Sequence, residues 1–244
     1  MSKQPINWDK VPEEFVVFDL ETTGLLPSKS TILEIGAIRF TKSDYLKTGQ
    51  VDTFQVFVKQ DKSIPEEITK ITSITDSMVA NGDPLDVALK DFFKFVDGRN
   101  LIAYNAEFDE KFIRTCSRRA KVELPSWFRT ECALELARKK LRGVQNYKLV
   151  TIAKAFGIDT DGAHRSLNDC LMTMHVYINC LHVEKTITHG MRYSRTSSQK
   201  NEIPFELEPI YKLYSFIADW IGKNRIVSII ILVVLINVIS RIKN

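Results

Sequence analysis

Phe15-Val16-Val17-Phe18 is an uninterrupted apolar run that ends at Asp19. A short, continuous run of this kind predicts a strand buried on both faces. The polar stretch Thr22-Thr23-Gly24 follows as a turn. Ile32 to Phe40 predicts a second strand, and Val51 to Lys59 a third, with Phe54, Val56 and Val58 alternating onto one face. The short connections between the three predict an antiparallel meander. The pattern then changes. Residues 65–97 read as helical, with Pro84 suited to a helix start and Ala88, Phe92, Phe95 and Val96 forming an apolar stripe at helical spacing.

Leu101 to Tyr104 predicts a further short strand, followed by a helix over 106–120 and others over 131–141, 148–156 and 166–184. Strands first, then alternation of strand and helix, predict an α/β sandwich with a mixed sheet. This domain is expected to span residues 12–184. Residues 185–208 lose all periodicity, and Ser194 to Asn201 is wholly polar, which predicts a linker. No internal repeat is present.

Composition is ordinary for a globular domain, with 44% hydrophobic and 26% charged residues. The net charge of +4 matters chiefly by its location. Residues 223–244 contain Lys223, Arg225, Arg241 and Lys243 and no acid, which leaves residues 1–222 neutral. A polycationic grip on nucleic acid is therefore excluded; binding would need a local patch or bound metal. Cys116, Cys132, Cys170 and Cys180 form no C-x-x-C pair and have no His at zinc-finger spacing. The N-terminus, MSKQPINWDK, has no apolar run like a signal peptide. The domain is expected in the cytoplasm, with its thiols reduced.

Candidate chemistry begins at Asp19 and Glu21. Residues two apart on a strand share a face, so two carboxylates emerge side by side at the end of a buried strand. Like charges this close repel unless a cation lies between them. An isolated D-x-E also fits an ordinary solvated strand end, but the turn at 22–24 adds hydroxyls and close backbone N–H groups. Asp109 falls early in the helix after the strand 101–104. It is equally an acid favoured by a helix N-terminus, and Asn105 equally that helix's N-cap. Asp169 falls in the first turn of the last helix of the domain, and His164 in the loop before it, where an exposed polar residue is also unremarkable.

Together these segments carry a resemblance. FDLETTG at 18–24, ILEIGAIRF at 32–40, YNAEFD at 104–109 and HRSLND at 164–169 resemble the DEDDh 3′→5′ exonucleases, the family of the bacterial polymerase III epsilon subunit. The intervening residues 130–159 are similar as well, so the likeness covers roughly residues 13–182. It implies a ribonuclease H-like fold with a mixed five-stranded sheet and two divalent ions, Mg²⁺ or Mn²⁺. By resemblance Asp19, Glu21, Asp109 and Asp169 bind the metals and His164 is the general base. Its place five residues before the last acid marks the histidine subclass; in the tyrosine subclass the base stands four before, where this chain has Arg165. Thr22 and Gly24 would contact the terminal nucleotide, and Asn105 and Phe108 would shape its pocket. Four carboxylates without a thiolate are a hard oxygen donor set, consistent with such ions rather than zinc. His164, with an ordinary pKa near 6.5, is suited to taking a proton at neutral pH. One departure stands out: many relatives have His-Gly where this chain has Thr72-Ser73.

The expected partner is the 3′ end of a nucleic acid, with DNA favoured over RNA and nucleoside 5′-monophosphates as products. RNA trimming, a non-cutting nucleic-acid-binding module and an interaction protein whose nuclease domain is tethered to a polymerase or membrane complex are the alternatives; the complete set of acids and His164 argues against the non-cutting module. His175, His182 and His189 recur every seven residues, about 10.5 Å apart along a helix, too far to share one ion. Residues 199–205, QKNEIPF, bear a poorly spaced likeness to sliding-clamp peptides, the only hint of a polymerase or clamp partner.

Residues 226–240 are free of charge, and as a helix would span roughly 22 Å against a hydrocarbon core of about 30 Å. Extension back to Trp220 brings in Lys223 and Arg225, which could snorkel, as could Arg241 and Lys243. Ile210, Leu213, Tyr214, Ile217 and Ile221 predict an amphipathic surface helix over 209–222. A helix packed against the domain or a partner is the alternative. Ser228 and Asn237 fall on opposite faces, however, and leave no polar stripe. A membrane-anchoring segment over 223–244 is the expectation.

Overall fold

The strand β1 (Glu14–Thr22) is the axis of the molecule, and Phe15, Val16, Val17 and Phe18 are each 0% exposed. It pairs antiparallel with β2 (Ile32–Thr41), which pairs antiparallel with β3 (Asp52–Phe57), the meander the sequence predicts. Between β2 and β3 stands a short helix, α1 (Lys42–Thr48), closed by Gly49 in the left-handed conformation. The sequence reading did not separate α1 from its loop. Seven residues with no buried side chain leave no hydrophobic period to detect.

The structure, a computed structural model, describes residues 6–183. The helical stretch after β3 resolves into α2 (Glu66–Thr72), α3 (Asp76–Val79) and α4 (Leu85–Val96), the last capped by Pro84 as expected. β4 (Leu101–Ala103) then runs parallel to β1 and leads into α5 (Ala106–Ala120). A fifth strand, β5 (Thr130–Cys132), pairs parallel with β4 and completes the order β3-β2-β1-β4-β5. The helix predicted over 131–141 therefore starts later, as α6 (Ala133–Lys140). Three residues at a sheet edge are too few to alternate, and the helix-forming ALELARKK beside them dominates the local signal. α7 (Leu149–Phe156) and α8 (Ser166–His182) follow.

Alternation along β1 divides the core. Phe15 and Val17 enter one layer with Ala133 and Ala137 of α6, Ile152 of α7, and Met174 and Tyr177 of α8. Val16, Phe18 and Leu20 enter the opposite layer with Leu89 and Phe92 of α4 and Phe112 and Ile113 of α5. Phe15 stacks on Phe40 with ring centroids 4.6 Å apart, and Phe18 meets Phe92 at 5.2 Å. Cys116, Cys170 and Cys180 are buried and Cys132 half-buried, all as free thiols. His175 is half-buried, edge-on to Tyr45, and the burial of its ring pushes its pKa down to about 4. His182 bonds the Asn7 carbonyl, so both histidines serve packing; His189 lies outside the described residues.

The whole of the expected 185–208 linker, the expected 209–222 helix, the clamp-like 199–205 and the expected 223–244 anchor also lie outside the described residues. Among the described residues, no helix is long and apolar enough to cross a membrane.

α8 meets the sheet at Gly36, which is paired with Asp19 across β1 and β2. A Cβ on Gly36 would lie 2.6 Å from the Ser166 Cβ and 2.8 Å from the Ser166 carbonyl carbon. Backbone must therefore approach backbone here, and any side chain would push the start of α8 outward. Gly36→Ala is expected to cost about 1–3 kcal/mol of folding stability, measured by chemical denaturation; an unchanged midpoint would show that α8 accommodates the methyl group freely.

Candidate active site

Three elements converge at the C-terminal end of β1. The register places Asp19 opposite Gly36 and Glu21 opposite Glu34, so Asp19 and Glu21 share the face covered by α8. Asp169, in the first turn of α8, completes a cluster in which ligand atoms of Asp19, Glu21 and Asp169 lie within 4.8 Å of one another. Among the described residues this is the group of side chains spaced to hold a metal ion. Asp109 arrives from the first turn of α5, 4% exposed, with the Leu20 backbone N–H directed at its carboxyl group. It lies close enough to raise the pKa of both Asp19 and Glu21.

The electrostatics record the crowding. Burial pushes Asp19 well above the ordinary carboxylate range, and Asp109, Asp169, Glu21 and Glu34 push further in the same direction. Glu21 is raised to about 8, first by burial and then by Asp169 and Glu34, against the pull of Arg165. Burial raises Asp109 to about 8 against backbone N–H groups that favour its charged form. Asp169 rises to about 6, burial being opposed by the backbone and charge of His164. Several carboxyl groups thus hold protons at neutral pH when no cation is near. A divalent ion between them would supply the missing positive charge, and the all-oxygen donor set suits Mg²⁺ or Mn²⁺.

His164 sits just before α8, exposed, with φ of 68°, a left-handed conformation that costs a non-glycine residue energy. Its backbone N–H donates to Asp169 Oδ1 at 3.2 Å, and Asn168 Nδ2 donates to the Gly162 carbonyl at 2.9 Å. The loop is therefore pinned at both ends while the imidazole stays accessible. The Thr22 hydroxyl donates to the Gly24 carbonyl at 2.8 Å, and the Thr31 N–H donates to Thr23 Oγ1 at 3.0 Å, which fixes the turn beside the acids.

Asn105 caps α5 by position but makes no side-chain capping bond. It is exposed and lines an open groove with Glu131, Glu135 and Arg138. Phe108 is half-buried against Phe112, ring centroids 4.8 Å apart. Ser73 adopts φ of 60° as the C-cap of α2, a conformation glycine adopts freely, while Thr72 is buried and accepts the Ile74 N–H. Sequence reasoning missed Glu34, a 0% exposed acid inside the apolar ILEIGAIRF. Its signal was an unexplained charge in a strand otherwise fit for burial.

The raised pKa values set a pH dependence for the metal-free protein. Unfolded carboxyl groups titrate near 4, while Glu21 and Asp109 titrate near 8 when folded. Between those values the folded state binds more protons than the unfolded state, so stability falls as pH rises. With EDTA present, Tm is expected to decline from pH 5 to pH 8.5, and Mn²⁺ to restore it most at the alkaline end. Asp109→Asn should flatten the decline. Scanning fluorimetry across this range is the measurement, and a metal-free Tm indifferent to pH would contradict the crowding.

Residues 16–177 match the family RNase_T, described as "Exonuclease". The DNA polymerase III subunit epsilon of Aquifex aeolicus is 34% identical over 171 residues, covering 68% of this chain and 80% of that protein. The PolC-type DNA polymerase III of Caldanaerobacter subterraneus subsp. tengcongensis is 34% identical over 223 residues, which is 89% of this chain but 15% of that polymerase's length. Among solved structures, the nuclease domain of 3′hExo, a DEDDh family member bound to rAMP, superposes with a TM-score of 0.60 at 20% identity, over 74% of this chain and 98% of that domain. That likeness gives the fold, an RNase H-like exonuclease fold with a mixed five-stranded sheet. The family match and the epsilon relative extend across the domain that assembles the acids, and the chain belongs to the exonuclease family.

Proposed function

We propose that this protein is a metal-dependent 3′→5′ exonuclease that removes nucleoside 5′-monophosphates from the 3′ end of DNA, in proofreading or repair. The observation that carries this reading is the convergence of Asp19, Glu21 and Asp169 within 4.8 Å, with the buried Asp109 beside them and His164 anchored to Asp169. Asp19, Glu21, Asp109 and Asp169 are the residues that would hold two divalent ions, Mg²⁺ or Mn²⁺. Such ions supply electrophilic assistance to phosphodiester hydrolysis and offset phosphate charge.

The chain's own groups account for the rest. His164 takes the proton of the attacking water as its oxygen bonds to phosphorus, and the bond from phosphorus to the 3′ oxygen breaks. The leaving oxygen collects a proton from solvent. The turn at Thr22 to Gly24 holds the terminal nucleotide by its backbone, while Asn105 and Phe108 border the place where that nucleotide rests. DNA is favoured because the epsilon relative, similar over 80% of its length, is named as a DNA polymerase subunit. The same name supports a polymerase-associated role. The neutral charge of residues 1–222 agrees with a domain that grips its polyanion through ions rather than lysines.

We also propose that the uncharged run 226–240 tethers the enzyme to a membrane, with the nuclease domain in the cytoplasm. The support is hydropathy and the flanking cations.

Alanine at Asp19, Glu21, Asp109 or Asp169 is expected to remove most activity and leave the domain folded. His164→Ala should keep metal binding and lower turnover by about 100- to 10,000-fold. Labelled single-stranded DNA, mismatched duplex DNA and RNA, incubated with Mg²⁺ or Mn²⁺, separate the readings. Mononucleotide release from DNA 3′ ends supports the proposal, whereas cleavage confined to RNA identifies a trimming enzyme and refutes the DNA assignment.

A second measurement concerns location. In cell fractionation the full chain should resist extraction by alkaline carbonate, while a chain ending at Pro204 should be soluble and still cut. Release of the full chain by carbonate would rule out a spanning segment.

A further inference from the structure

Glu34 is an acid of the central sheet that the carboxylate cluster does not use. It lies on β2 opposite Glu21, 0% exposed, yet it is absent from the group of side chains spaced for a metal ion. A buried carboxylate must be satisfied by partners, and both of its oxygens are engaged elsewhere. Oε1 accepts Gln55 Nε2 at 2.7 Å and an Arg165 guanidinium nitrogen at 3.0 Å. Oε2 accepts the Ser166 backbone N–H at 3.1 Å.

The Ser166 N–H is the first of α8, one of the donors that no helix can satisfy internally. Arg165, the N-cap, offers no side-chain capping bond. The cap is supplied instead by a residue 132 positions earlier in the chain, and a carboxylate is the group a helix N-terminus favours. Arg165 is held in turn between Glu34 and the face of Phe57, its guanidinium 5.6 Å from the ring centroid. His164 immediately precedes this latch and Asp169 lies one turn after it, so both depend on how α8 is seated.

We propose that Glu34 is a positioning residue for the hydrolysis: it latches Arg165 and the first N–H of α8 to β2, which seats His164 and Asp169 at the Asp19–Glu21 pair. The inference rests on the exonuclease reading for its kinetic consequence, but its structural consequence is independent of catalysis. Glu34 acts through α8, whereas Asp19 would act on an ion directly, and the two roles leave different signatures.

The experiment compares Glu34→Gln with Arg165→Gln, the latter at a half-exposed side chain where folding is less at risk, and with the double variant. In metal-free protein, hydrogen exchange of residues 162–170 should quicken about tenfold in each single variant, with exchange in β1 unchanged. On a DNA oligonucleotide kcat should fall about 10- to 100-fold with KM within a factor of about three. The double variant should be no worse than the weaker single one, because both changes break one latch. Mn²⁺ stoichiometry by calorimetry should match that of the wild type. Unchanged exchange over 162–170 in both single variants would overturn the proposal, as would loss of a bound Mn²⁺ on Glu34→Gln, which would make Glu34 a ligand. If the wild type itself releases no nucleotides, the exonuclease reading fails while the exchange result still decides the latch.

Discussion

Negative charge held out of water at the end of β1 is the constraint around which the molecule is organised. Asp19, Glu21, Asp109 and Asp169 would each be stabler apart and hydrated, and their raised proton affinities measure the strain of bringing them together. The surroundings make that arrangement tolerable. β1 is buried on both faces by apolar layers, so its last residues have no freedom to splay. Asp109 and Asp169 both occupy first turns of helices, where unpaired N–H groups and the helix dipole favour an anion. The sheet supplies rigidity and the helix ends supply partial positive charge, and what remains uncompensated is a standing attraction for a divalent cation.

The same organisation explains what could be read from the chain beforehand. β1 was legible because total burial leaves an uninterrupted apolar run, and the helices because their stripes persist over several turns. β5 and α1 were not, since three edge residues, and seven residues with no buried side chain, carry no period. Asp19 and Glu21 announced themselves through strand alternation, but only the company of the other segments separated them from an ordinary strand end. Asp109 had a sufficient local explanation as a helix-terminus acid, and it does stand in the first turn of α5. Glu34 was illegible for another reason. Its partners Arg165 and Ser166 lie 131 and 132 positions away, so nothing local accounts for its charge.

The contrast between Asp169 and His164 is also instructive. The acid is half-buried on a regular helix, and its geometry follows from how α8 docks at Gly36. The histidine is exposed, in a left-handed conformation, on a loop secured by backbone bonds rather than by packing of its ring. A ligand for an ion needs fixed distance, while a base that accepts a proton and returns it needs access to water. Under the proposed roles the loop serves both needs within six residues, through one hydrogen bond from the His164 backbone N–H to Asp169 Oδ1.

The order in which the chain is made gives α8 a further meaning. Its carboxylate Asp169 follows Asp19 by 150 positions, so at a synthesis rate of roughly 5–20 residues per second the first acid waits about 8–30 seconds for the last. For most of that interval β1 and β2 have already been translated, but the surface of Gly36 has no helix to receive and Glu34 has no N–H to cap. A growing chain therefore holds only part of the acidic cluster, which is complete once α8 has been made and has docked against Gly36.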